Sequence, residues 1–287
     1  MIASLLPPEP GLEILAHEPP PDTPQRPPVL FLHGAYASAD CWDTWFLPYF
    51  AAHGHPAYAL SFRGHGGSAG HEALQLTRIS DYLQDLLRTE AALGCNPILV
   101  GHSMGALVLQ RYLEQHRPPA AVLMAPVPPS GLLPSILRLW LQDPLLMQQL
   151  HLAQIGGRRL VTVPALRRAL YRADTPLESL RAMSSHFQPE SAAALMDMTW
   201  SGLPGMAVAA PCPMLVLGGG ADNLIDLQGL EASAAAYGLE AEIFPAMPHA
   251  MMLDPDWRRP AERILAWLAD LPKPGPAGRA TRGARPR

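Results

Sequence analysis

Gly101-His102-Ser103-Met104-Gly105 stands where the apolar run Pro97 to Val100 gives way to a helical pattern from Ala106 towards Gln115. A G-x-S-x-G pentapeptide is a nucleophile elbow only when a strand enters it and a helix leaves it, and both patterns are present here. The serine then sits on a tight strand-to-helix turn that lifts its Oγ clear of the sheet. Glycine two positions before and two after removes the side chains that would crowd it. The helix start behind it aims backbone N–H groups at the same point. Each glycine alone reads equally well as an ordinary turn residue; strand, motif and helix in succession favour the elbow.

The chain on either side alternates in the same way. Val29-Leu30-Phe31-Leu32 is a short apolar strand of the kind buried on both faces of a parallel sheet, and it stops at His33-Gly34. Trp42 to Phe50 predicts a helix, and Ala57 to Phe62 a strand ending in the turn Arg63-Gly64-His65-Gly66-Gly67-Ser68. From Thr77 to Leu93 apolar residues recur at Ile79, Leu83, Leu86, Leu87 and Leu93, the pattern of an amphipathic helix. Ala120 to Ala125 is the next strand. Alternation then breaks over 130–210, which is rich in Leu and Met, poor in strand patterns and punctuated by Pro144, Pro164, Pro176 and Pro189. It resumes with strands at Met214 to Leu217 and Glu240 to Phe244 and a closing helix over Asp256 to Ala269.

The pattern predicts an α/β fold, a mostly parallel sheet with helices on both faces. The core is assigned to 29–129 and 211–271 and a helical cap to 130–210. Residues 1–28 form a proline-rich extension with an edge strand at Leu12 to Ala16, and 272–287 a disordered basic tail.

Composition narrows the function classes. A chain of 287 residues with 48% hydrophobic content can bury one large core. No stretch reaches the roughly 20 apolar residues that span a bilayer, and Met1 to Pro10 lacks a basic start and a sustained apolar run, so a cytoplasmic protein without an integral membrane segment is expected. Cys41, Cys95 and Cys212 are odd in number and far apart, which suits a reducing compartment and gives no metal-ligand spacing. The formal charge is −4, but the tail holds Lys273, Arg279, Arg282, Arg285 and Arg287; without them 16 basic residues face 25 acidic ones, a balance of −9. An acidic body gives no reason to expect nucleic acid as a partner.

A serine hydroxyl is a poor nucleophile unless a base takes its proton and an acid holds that base in the right tautomer. After an elbow serine the chain order is acid, then histidine. Asp222 follows a strand in Gly218-Gly219-Gly220-Ala221-Asp222, and His249 follows the last strand in Met247-Pro248-His249-Ala250. Asp226, Asp254 and Asp256 are rival acids nearby, and Asp222 is preferred for its strand-end position. No acid follows the strand ending at Ala125, which closes the usual alternative position. Among the other histidines, His33, His65 and His102 occupy motif positions that more often hold turns than transfer protons.

With these residues in hand, the chain from Val29 to about Leu271 resembles the α/β-hydrolase-fold serine hydrolases, closest in pattern to monoacylglycerol lipase and lysophospholipase-like esterases. The matched stretches are His33-Gly34-Ala35, Arg63-Gly64-His65-Gly66, the elbow, and the acid and histidine loops. The resemblance implies an oxyanion hole from the backbone N–H groups of Ala35 and Met104, with Ser103, His249 and Asp222 as catalytic triad and no metal or cofactor. Two departures stand out: Ser61 where relatives often carry aspartate, and Pro248 where glycine commonly precedes the base.

A cap inserted at this strand overhangs the elbow, so part of its Leu-rich first half is expected to form an apolar wall, with Leu141 and Leu145 assigned to it together with Tyr36 from the loop after His33-Gly34. For most of these leucines, packing between cap helices is the plainer role. The substrate expected is a small ester with an apolar acyl group. Thioester hydrolysis or acyl transfer would use the same residues, and a slow-turnover ligand receptor or scaffold would use the same fold.

Overall fold

The computed structural model describes residues 11–156, 162–178, 180, 187–205 and 209–271. Among them one seven-stranded sheet runs in the order β1-β3-β2-β4-β5-β6-β7. The strands are β1 (Ile14–His17), β2 (Val29–Leu32), β3 (Ala57–Leu60), β4 (Ile98–His102), β5 (Ala121–Met124), β6 (Met214–Gly219) and β7 (Glu242–Phe244). Strand β1 is antiparallel to β3, with Ile14 opposite Leu60, and lies at the edge as the sequence predicts. The remaining neighbours are parallel.

Apolar side chains on both faces of the strands divide the core in two. Val29, Phe31, Ile98, Val100, Val122 and Leu217 point to the face covered by Trp42, Phe46, Phe50 and Ile264. Leu30, Leu32, Leu99, Leu123 and Val216 point to the other, against Leu86, Val108, Leu109 and Leu230. The helices responsible are α1 (Asp40–Asp43), α2 (Phe46–Ala52) and α10 (Arg258–Asp270) on the first face, and α3 (Ile79–Leu93), α4 (Met104–Leu113) and α9 (Leu227–Ala235) on the second.

The helix expected over Trp42 to Phe50 is two helices. Pro48 has no N–H to donate to Thr44 and its ring would meet that carbonyl, so the chain breaks at Trp45 and restarts with proline in the first turn of α2. Helix α9 was not foreseen: its start is marked by Asp226, whose side chain accepts from Gly229 N at 2.8 Å.

Between β5 and β6 lie α5 (Leu133–Gln142), α6 (Pro144–Gly156), α7 (Val163–Leu170), α8 (Ala192–Met196) and a π-type turn at Asp197–Ser201. The insertion leaves and rejoins the core at adjacent points, since Leu132 N donates to Met198 O at 3.0 Å. No helix among the described residues is long and apolar enough to cross a membrane. The tail over 272–287 lies outside the described residues, as does the chain before Gly11.

Candidate active site

Strand β4 ends at His102 and α4 begins at Met104, so Ser103 is the whole of the turn between them. Its backbone is held at φ 52°, ψ −113°, a conformation that costs a non-glycine residue about 1–3 kcal/mol and persists only where the surroundings enforce it. They do so by packing. A Cβ on Gly101 would come within 2.6 Å of Gly105 O, and one on Gly105 within 2.5 Å of the Leu32 and His33 carbonyls. Both glycines are therefore required by the close approach of α4 to the sheet as well as by the turn. Ser103 N donates to Met124 O at 2.9 Å, tying the elbow to β5.

Three side chains form one hydrogen-bonded line. His249 Nε2 lies 3.1 Å from Ser103 Oγ, and His249 Nδ1 lies 2.7 Å from Asp222 Oδ2. Asp222 is itself anchored, its Oδ1 accepting from Leu224 N at 2.8 Å and Ile225 N at 2.9 Å. The acid and histidine loops are joined by Ala221 N donating to Met247 O at 3.0 Å. Asp226, the nearest rival acid, faces elsewhere: it caps α9, and its Oδ2 is 3.2 Å from Arg138 Nε of α5. Asp256 pairs with Arg172 at 3.0 Å.

The other motif histidines hold loops in place. His102 is buried, and burial, with the neighbouring His249, keeps its pKa well below the ordinary value. As a neutral ring it donates from Nε2 to the His249 carbonyl at 2.9 Å, which fixes the height of the histidine loop. Burial, with His65 beside it, lowers His33 to about 3. His33 Nε2 accepts from Phe62 N at 3.0 Å, so Nδ1 carries the proton and donates to Gly34 O at 2.8 Å. Ser61 Oγ donates to Glu13 Oε2 at 2.7 Å, and the same oxygen takes Gly67 N at 2.9 Å. The carboxylate at this turn comes from the segment before β1.

Gly34, Ala35, Ser103 and His249 open into a cavity of about 340 Å³. Its far wall comes from the insertion, with Ile136 and Leu139 of α5, Met147 and Leu150 of α6, and Leu166 and Leu170 of α7. Tyr36 lines it, its ring stacked on Phe187 at 4.9 Å. Leu141 and Leu145 do not: they are 87% and 52% exposed and off the cavity wall. At 100° per residue Leu141 lies ~200° round the helix from Leu139 and therefore faces solvent. The wall positions Leu132, Ser135, Ile136 and Leu139 follow the i, i+3, i+4, i+7 spacing of one helix face, a signal present in the sequence. Leu133, Leu137, Trp140 and Leu141 repeat a similar spacing on the exposed side and mask it.

Among described families, the sequence profile of the alpha/beta hydrolase family matches residues 29–262. The chain belongs to the alpha/beta hydrolase family. A monoacylglycerol lipase of Mycolicibacterium smegmatis is 25% identical over 269 residues, covering 86% of this chain and 90% of that one. A non-heme haloperoxidase of Rhodococcus erythropolis is 36% identical over 110 residues, 36% of this chain and 38% of its own. Among solved structures, an esterase from a Rhodococcus species superposes with a TM-score of 0.70 at 19% identity, covering 91% of this chain and 96% of that chain, a likeness of fold.

Proposed function

We propose that this alpha/beta hydrolase is a serine ester hydrolase acting on small esters with an apolar acyl group. The observation that carries the reading is the unbroken line from Ser103 Oγ through His249 to Asp222, opening on a cavity walled by aliphatic side chains. That the relatives include a protein named monoacylglycerol lipase supports it.

In this reading Ser103 Oγ attacks the ester carbonyl while His249 Nε2 takes its proton. Asp222 keeps the other ring proton on Nδ1, so that Nε2 is free to accept, and stabilises the imidazolium that results. The carbonyl oxygen turns towards the amides of Ala35 and Met104. Met104 opens α4, where a helix leaves its first amides without internal partners, and such preorganised donors contribute on the order of 3–4 kcal/mol each to the transition state. His249 returns the proton to the leaving alcohol, and water, activated by the same base, releases the acid from Ser103. The apolar wall of α5, α6 and α7, acting as a cap over the elbow, takes the acyl chain.

The test is a graded series of p-nitrophenyl esters from acetate to medium chains together with a fluorophosphonate. Activity that climbs with chain length and is abolished on labelling of Ser103 is the expected result. A flat series removes the apolar-acyl assignment, and labelling without any ester turnover removes the hydrolase assignment in favour of a receptor.

A further inference from the structure

A second buried polar cluster lies beside the first, and the steps above do not use it. The described segment 187–191, within the insertion and just before α8, threads between the loop after β2 and the Arg63 to Ser68 turn. Gln188 N donates to Tyr36 O at 2.7 Å, Gly66 N donates to Gln188 Oε1 at 2.8 Å, and Gln188 Nε2 donates to Ser38 Oγ at 2.7 Å. Glu190 follows, fully buried. Its carboxylate accepts from Tyr36 N at 3.1 Å, Tyr82 OH at 2.9 Å and Ser191 N at 2.7 Å, and stands 3.3 Å from His65 Nε2.

Two features tie this cluster to the reaction. Tyr36 is the residue after Ala35, and both its backbone N–H and its C=O are held by this segment, through Glu190 and Gln188. Its φ is 62°, a left-handed conformation that an aromatic residue keeps only under constraint. Released from that constraint, Tyr36 would turn towards the right-handed or extended regions, and the peptide planes on either side of Ala35 would turn with it. The charge of the cluster is also balanced. Burial by itself would raise Glu190, but His65 and the converging donors hold it below the ordinary carboxylate value, while Glu190 lifts His65 above the ordinary imidazole value against its burial. A protonated His65 at this distance would keep the carboxylate from opposing a developing oxyanion nearby.

We propose that Glu190 is a positioning residue for the oxyanion hole: by holding the Tyr36 amide it sets the direction of the Ala35 N–H, and it makes that direction depend on the seating of the inserted helices. The inference rests on the ester-hydrolase reading and assigns within it a carboxylate outside the triad. A misplacement of about 1 Å at such a donor costs on the order of 100-fold in rate.

The experiment compares unmodified protein with Glu190→Gln, Glu190→Asp and the double variant His65→Gln/Glu190→Gln, which removes both charges of the pair and guards against loss of folding through an unpaired buried charge. For each, kcat and KM on p-nitrophenyl acetate and a medium-chain ester, the rate of fluorophosphonate labelling and the melting temperature are measured. The expected result is a fall in kcat and in labelling rate on the order of 10- to 100-fold in every folded variant, with KM and the long-to-short ester ratio within about twofold. Glu190→Asp stays slow because it keeps the charge but not the reach. Recovery of the unmodified kcat by Glu190→Asp, or a lower melting temperature with kcat per labelled site unchanged, overturns the proposal. Failure of the unmodified protein to turn over either ester counts against the hydrolase reading instead, so the two outcomes are distinct.

Discussion

The strand-end loops and the inserted helices meet across one cavity but hold their side chains by different means. Ser103, Asp222, His249 and His102 are fixed by directed hydrogen bonds of 2.7–3.1 Å and by backbone approaches too close for a Cβ. Ile136, Leu139, Met147 and Leu150 face the same space through apolar contact, on helices joined to the core by bonds such as Arg138 to the Asn223 carbonyl and Ala250 N to the Leu170 carbonyl, each 3.0 Å. Directed bonds set where a reaction happens, and buried area sets how much of a substrate is held there. A change in the first region should therefore act on kcat with little dependence on the acyl chain, and a change in the second on chain-length preference.

The strongest break in that contrast is Ser103→Ala, which should lower kcat by at least 1,000-fold, the analogous loss in a well-studied triad being on the order of 10⁶. Binding of a fluorescent fatty acid, measured in parallel, should be unchanged, because the wall is untouched. Next comes the pair Asp222→Asn and Asp226→Asn. The first should cost about 10⁴ in kcat by upsetting the His249 tautomer, and the second should leave kcat within a few-fold and stability nearly unchanged, since asparagine caps α9 about as well as aspartate. A reversal of the two would place the acid one helical turn later.

Leu139→Ser and Leu141→Ser sharpen the second half of the contrast. Each CH₂ buried against the wall adds up to ~0.8 kcal/mol, a three- to fourfold gain in kcat/KM per carbon. Leu139→Ser should flatten that rise, and Leu141→Ser, facing solvent, should leave it intact. The smallest effect concerns the buried pair of His65 and Glu190 beneath the loop at Tyr36. His65, lifted by Glu190 above its ordinary 6.5, contributes stability that is complete below that value and lost as pH rises through the folded pKa. Glu190, held below its ordinary 4.5, contributes stability that is lost as pH falls through its folded value. The melting-temperature gap between unmodified protein and His65→Gln should accordingly be widest between the two ordinary values, at about pH 5 to 6, and narrow as pH rises through the raised pKa of His65.

What the sequence discloses about these two regions differs in the same way. The elbow is legible because Gly101, Ser103 and Gly105 answer to local backbone demands, and the central strands β2, β4, β5 and β6 because their residues are buried on both faces. Asp222 and His249 are legible by chain order at strand ends. The inward face of α5 is not, because apolar residues line both sides of that helix and periodicity alone cannot choose between Leu139 and Leu141. Glu190 is not legible either: its contact with Tyr36 spans 154 positions, and no local pattern marks a carboxylate whose donors come from four separate segments. The same holds for Glu13, which brings a carboxylate to Ser61 from 48 positions away.

In the proposed hydrolase Ser103 carries the acyl group between substrate and water. Intact-protein mass spectrometry of the unmodified chain, quenched in acid during turnover of a medium-chain p-nitrophenyl ester, tests it most directly. The expected result is a single acyl adduct that peptide mapping places on Ser103 and that is missing from Ser103→Ala. Steady ester turnover with no adduct in the unmodified chain, or an adduct on another residue that persists in Ser103→Ala together with activity, would contradict it.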